Sequence, residues 1–449
     1  MALARGREPQ MRVLLLENNQ VSLRSDGAQP LRVQGLPGGE RRPQRLQLSL
    51  QGTRLSATVD GRSMLLAPST LVTVQNGDPR GIWLGSRRYR GVLRISGRGG
   101  NLRVVNSLGV EAYLASVVGS EMPHRWPLAA LQAQAVAART YALKQRSRGG
   151  AWDVKATVAS QVYRGVESET PSTRKAVAST RSLVLVHGGR LIDAVFHSSS
   201  GGVTEASGMV WRRQHPYLVS VPDHDQHSPV HRWEQWFDSA GLRQRLPETG
   251  GLQDVEVLSR SGSGRVRQAR VRGPGGSLVL SGSELRKRLG LKSTLVNFEM
   301  VTGRQRPPVE LPVRRVNATA SGGSRIDRIT ASVARQRGGR PPLLAAPPPL
   351  LVSKTSVRRW SAGGLQLLVK GQGYGHGVGM SQWGAHGLAE QGADFRSILQ
   401  HYYRGAEVIP YRSHHDPSLA LKPPTKPLWR DMPISPFGTV SLSSATPFQ

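Results

Sequence analysis

Cysteine is absent from the 449 residues. That excludes disulfides, thiol nucleophiles and cysteine-held metal centres together. It leaves the compartment open, because exported proteins without cysteine are common. Aromatic residues are scarce at 5%, although nine of them are Trp against six Phe. Such a bias suits the stacking of sugar rings and suits core packing equally. Long apolar runs are also missing. The stretch MRVLLL from Met11 is too short for a signal-peptide core with a cleavage site, and far short of a membrane span. Acidic residues are few, 29 against 61 Lys plus Arg, giving a formal charge of +32. That excess attracts polyanions such as nucleic acid, anionic lipid or acidic wall polymer, without choosing among them. Arg12, Arg41, Arg87, Arg265, Arg315 and Arg358 are dispersed rather than gathered in a stripe. With no zinc-finger spacing and no convincing helix-turn-helix, no specific nucleic-acid partner is expected.

What is present is a chain long enough for two or three domains, 38% hydrophobic and rich in glycine (51) and proline (30). Leu46, Leu48 and Leu50 alternate with polar residues, as do Leu55, Ala57 and Val59 ahead of the Asp60-Gly61 turn. Further strands are expected at 70–75, 89–95 and 102–106, so residues 11–110 read as strand-rich, with 1–84 assigned to an N-terminal β-rich module. Helices are expected from Pro127 to Lys144, from Ser172 to Ser182 with Thr170 as cap, near 281–289, and at 394–404. A hairpin is expected about His187-Gly188-Gly189. The core is placed at 85–300 and resumes at 351–410. Between them 301–350 reads as a basic Pro/Gly/Arg-rich disordered insertion, and 411–449 as a flexible tail. The fold class expected is α+β, mixed and strand-rich, with a few packed helices.

Three segments could carry chemistry. Glu121 lies in a Gly-Ser-Glu-Met-Pro turn ahead of an apolar helix, where Met122 and Trp126 could desolvate it and raise its pKa toward that of a general acid. The plainer alternative is an acidic residue favoured by the helix N-terminus. Arg139 falls on the same helix face as Gln132 and could clamp an anion or form a surface salt bridge. The second segment, His197 to Gly202, offers the hydroxyls of Ser199 and Ser200 and free backbone N–H groups at a strand end, or simply a turn. The third, Gly371 to Ala385, has glycine at every second position to 379. It reads as a hinge, or as a ligand-shaped backbone from which His376 and Gln382 donate hydrogen bonds. His197, His376, Asp223, His224 and His227 hold the right atoms for a metal but lack a specific ligand spacing. No metal or cofactor is expected.

At these segments the chain resembles the SpoIID/LytB domain family, the sporulation stage II protein D and amidase-enhancer proteins. The resemblance rests on four blocks in the family's order. They are Gly109 to Tyr141 with its Ser-Glu-Met-Pro core and Ala-Arg-Thr-Tyr, Val-Ala-Ser-Gln-Val-Tyr-Arg-Gly at 158–165, Ala194 to Gly202, and Gly373 to Gly384. It implies a peptidoglycan lytic transglycosylase with a glycan cleft, acting on strands stripped of stem peptide. Glu121 would protonate the MurNAc–GlcNAc oxygen and later accept the proton of the muramyl C6 hydroxyl, giving a 1,6-anhydro end. One carboxylate suffices for this, unlike the paired acids of ordinary glycosidases. Arg139, Tyr141, Gln161, Tyr163, Ser199, Ser200, His376 and Gln382 would bind the glycan. The alternative that the resemblance implies is a non-catalytic glycan binder that enhances an N-acetylmuramoyl-L-alanine amidase. Glycan strands, and a cell-wall amidase, are therefore the expected partners. The expected location is the periplasm or cell envelope, with the absent export signal ascribed to a misassigned start.

Overall fold

The computed structural model describes residues 8–27, 29–146, 150–302 and 365–411. The expected 411–449 tail beyond Tyr411, and the 301–350 insertion beyond Thr302, lie outside the described residues. What is described is a mixed α+β fold with several sheets.

Two six-stranded sheets form its first part. In one, the strand Gln10–Asn18 runs between the parallel Val154–Lys155 and the antiparallel Asn101–Gly109, continuing through Val92–Arg98 and Leu71–Gln75 to Arg32–Gln34. In the other, Arg45–Gln51 pairs with Arg54–Val59 so that Leu46, Leu48 and Leu50 face Val59, Ala57 and Leu55. Their period-2 burial is the alternation visible in the sequence. The inward residues of both sheets belong to one apolar core with the helices, so strands on either side of residue 84 share a single interior.

Three helices are built into that core. Helix α1, Val110–Glu121, follows directly from the strand Asn101–Gly109. Helix α2, Leu128–Lys144, starts after Pro127, and from Ala130 to Leu143 only Gln132 escapes burial. It is therefore enclosed on all sides, not on the single apolar face that the sequence suggests. Alanine makes this feasible, since small side chains let neighbours approach closely. Helix α3, Pro171–Ser179, has Thr170 as N-cap in a capping box and stops three residues short of the expected end.

A second, smaller core is formed by strands Arg232–Phe237, Gln366–Gln372 and Leu295–Val301, the meander Asp254–Ser281, and the helix Gly282–Leu289 capped by Ser281. The glycine run stitches the two cores together. A Cβ on Gly371 would strike the Trp233 ring, on Gly375 the His197 side chain, on Gly377 the Arg265 guanidinium, and on Gly379 the Val195 carbonyl. Alternating glycine here is a close-packing seam, not a hinge.

Candidate functional site

Glu121 is the last residue of α1. It does precede an apolar helix, α2, but it closes a helix of its own where a turn was expected: the carboxylate meets the C-terminal, electronegative end of α1, which disfavours its charge. It is half-buried. Its Oε1 accepts from the Val162 backbone N–H at 2.8 Å and its Oε2 from Gln382 Nε2 at 3.3 Å. Burial pushes the carboxyl above the ordinary glutamate range, against those two hydrogen bonds and the attraction of Arg164. A protonated glutamic acid is then available nearer neutral pH, the property a general acid needs.

The segment from Gln161 to Gly165 shapes one side of the site. Burial alternates along it: Gln161, Tyr163 and Gly165 point inward, Val162 and Arg164 outward. Gln161 takes the Tyr113 hydroxyl at 2.9 Å and donates to the Ala138 carbonyl at 3.2 Å, while the Tyr163 hydroxyl donates to Asn106 at 2.8 Å. At 1% and 2% exposure, Gln161 and Tyr163 are engaged in hydrogen bonds that fix the segment presenting Val162. Arg164 lies on the opposite, outward face, and has no hydrogen bond or ion pair among the described residues.

The other side is aromatic. The helix Gln382–Glu390, capped by Ser381, carries Gln382 to Glu121 and Trp383 to Trp126. The Trp126 and Trp383 rings meet edge to face at 4.7 Å, and His386 lies 4.8 Å from Trp126. All three remain partly exposed. Trp126 is near Glu121 in the sequence, but only the fold brings Trp383 against Trp126.

Other residues singled out in the sequence have structural tasks. Arg139 is completely buried. Its Nε and a terminal nitrogen donate to Glu111 at 3.0 and 2.6 Å, and the carbonyls of Val177 and Leu183 take further donors. It locks α1, α2 and α3 together rather than clamping a substrate. Tyr141 is also buried. Ser199 and Ser200 donate to Asp225 and Asp223, and the Tyr402 hydroxyl donates to Asp223 at 2.5 Å. The backbone N–H groups of Gly201 and Gly202 also donate to Asp225. The acidic residues of the Asp223–His227 run are therefore braces for the Ser/Gly loop. Among the described residues no group of three His, Asp or Glu side chains is arranged to hold a metal ion. His376 is in the glycine loop between Trp211 and His197, ring centroids 5.3 and 5.4 Å away.

Comparison with known proteins adds to this geometry. The model of the stage II sporulation protein family SpoIID matches residues 98–187, the stretch containing α1, α2, Val162 and α3. The amidase enhancer of Bacillus subtilis is 31% identical over 305 residues, 66% of this chain and 40% of that relative. Stage II sporulation protein D of Bacillus amyloliquefaciens is 28% identical over 325 residues, 68% of this chain and 75% of the relative.

The chain belongs to the SpoIID/LytB family.

The Bacillus subtilis stage II sporulation protein D is 27% identical over 324 residues, again 75% of its length. The chain spans 40% of the amidase enhancer's length, so the match covers a portion of that protein. Within this SpoIID/LytB chain the family model reaches Glu121 and Val162 but stops before Gln382 and Trp383, which the fold supplies from far along the sequence.

Proposed function

We propose that the protein binds cell-wall glycan in a cleft over Glu121, at the cell envelope, and serves as an amidase-enhancer-like factor. The observation that carries the binding half is the partly exposed pair Trp126 and Trp383, the latter following the Gln382 that bonds the half-buried Glu121 carboxylate. Flat apolar surface next to hydrogen-bonding groups is what a sugar ring requires. The amidase half rests on the relative named amidase enhancer. Its test is the rate of a purified cell-wall amidase on peptidoglycan with and without this chain. A several-fold stimulation supports the reading, and an unchanged rate at saturating protein removes it.

A second reading is favoured by one specific observation, the raised pKa of Glu121. In it the same carboxyl donates its proton to the glycosidic oxygen and then takes one from the muramyl C6 hydroxyl, releasing a 1,6-anhydro end. Val162 and Gln382 would stabilise the carboxylate between those steps. Mass spectrometry for anhydro ends, with Glu121→Gln as control, separates the readings: stimulation that survives the substitution belongs to the enhancer role, and cleavage that disappears with it to the lyase.

A further inference from the structure

A cavity of about 400 Å³ opens on the smaller core, and its lining shares no residue with the Glu121 site. Strand register builds its floor. Arg232, Gln372 and Leu295 are opposed across three neighbouring strands, and so are Glu234, Lys370 and Asn297. The two rows are two residues apart on every strand, so all six side chains stand on one face of the sheet. Arg260 closes the far edge. It ends the strand Asp254–Arg260, and its terminal nitrogens donate to the Val296 carbonyl at 3.0 Å, the Asn297 side-chain oxygen at 2.8 Å and the Gly264 carbonyl at 2.7 Å.

Three cations therefore follow one another across the sheet: Arg232 on one edge strand, Lys370 on the middle strand, and Arg260 at the other edge. Neighbouring strands are about 5 Å apart, so these charges form a row rather than a single point. Lys370 has Glu299 at 2.7 Å and faces Glu234 across the strand pair. The two arginines have no acid among the described residues. Arg260 is held by neutral oxygens, which fix the guanidinium without cancelling its charge. Arg232 is exposed and has no hydrogen bond or ion pair among the described residues. Arg270, Arg272 and Arg288 of the same core each have a carboxylate. The unpaired charges thus coincide with the cavity, and Asn297 and Gln372 add neutral hydrogen-bonding groups between them.

Guanidinium groups approaching from two edges suit a tetrahedral anion, whose oxygens accept from several directions. The cavity is much larger than one phosphate group, so the group would arrive attached to a chain. Trp233 is the lining's aromatic residue, and its buried ring lies on the opposite face against Gly371, leaving nothing for a nucleic-acid base to stack on. A row of cations within a concave site also fits an extended strand better than a flat bilayer. We propose that this cavity binds the phosphodiesters of an anionic envelope polymer, with Arg232 and Arg260 as the phosphate ligands. The choice of an envelope polymer rests on the location proposed above, whereas the phosphate chemistry rests on the cavity alone. Such a site would tether the chain to the wall independently of the Glu121 cleft.

A formal charge of +32 attracts any polyanion, so the test must separate a site from bulk charge. The full chain is titrated by calorimetry with polyglycerol phosphate at physiological salt. Arg54→Gln, which removes an exposed arginine from a strand of a different sheet, is the control for charge alone. The expected result is a loss of about fivefold or more for Arg232→Gln, against less than about twofold for Arg54→Gln. Glu234→Gln removes the acid beside the row and should bind more tightly, a gain that misfolding cannot imitate. Equal losses for Arg232→Gln and Arg54→Gln overturn the proposal, because the attraction is then diffuse. So does a loss seen with single-stranded DNA or with phosphatidylglycerol vesicles but not with the polymer, since the partner is then a nucleic acid or a membrane. The titration contains neither glycan nor amidase, so its failure is distinct from a failure of the glycan-binding reading.

Discussion

Gln382 donates from Nε2 to Oε2 of Glu121 at 3.3 Å across 261 residues of sequence, while the backbone of Val162 holds the other oxygen at 2.8 Å. The carboxyl is thereby fixed at both oxygens by two elements that do not adjoin α1 in the chain. Positioned this way it presents one defined face outward, and the expected consequences can be measured.

Glu121→Gln should raise stability at neutral pH. Burial lifts the folded pKa above its ordinary 4.5, so within that window the folded protein holds a proton that the unfolded chain has released. Stability from this group is complete below the window and lost as pH rises through it. The variant escapes that loss. Its Tm should exceed the parent's by a few °C at pH 7 to 8 and converge with it near pH 4. Calorimetric melts across pH check this.

His376 should act in the opposite sense. Burial, with the charges of Arg286 and Arg265, lowers it from 6.5 to about 4. As pH falls from 6.5 toward 4 the unfolded chain takes up a proton that the folded imidazole refuses, so stability is lost through that window. NMR titration should find the His376 ring neutral at pH 5.5. The stability slope between pH 6.5 and 4 should be shallower in His376→Gln.

Removing Arg139 is expected to be costly everywhere and specific nowhere. Arg139→Ala leaves Glu111 without its two-point partner in the core, a loss of about 3–5 kcal/mol. Denaturant unfolding would show it. Glycan affinity of the protein that remains folded should be unchanged, whereas a substrate-clamping arginine would lower affinity.

Gly377→Ala tests the seam. A Cβ there would lie 2.7 Å from the Arg265 guanidinium at a backbone φ of +85°, so strain and overpacking together should cost about 2–4 kcal/mol. A hinge glycine on an open loop would tolerate the methyl group with much less loss.

Much of this was legible in the sequence, and the failures have physical causes. The alternating leucines at 46–50 and the Thr170 cap were readable because a half-buried strand and a helix end write local patterns. Helix α1 wrote none, since Val110 to Ser120 is buried on nearly every side and shows no polar stripe. The motif around Glu121 was therefore visible while its place at a helix end was not. In Gln161 to Gly165 the motif drew notice to Gln161 and Tyr163, but the period of two makes these the inward pair and leaves Val162 and Arg164 toward the site. Asp223 suggested a metal ligand, and only the fold shows its two oxygens already taken by Ser200 and Tyr402. The contact of Trp126 with Trp383 joins distant segments that no local pattern connects.

The occupancy of the Glu121 cleft by glycan is tested most directly by hydrogen–deuterium exchange of the full chain with and without peptide-free glycan oligosaccharides. The expected result is slowed exchange confined to the end of α1 with Trp126, the Val162 segment, and the stretch from His376 to His386. Protection absent from all three, with glycan demonstrably bound, would contradict the account.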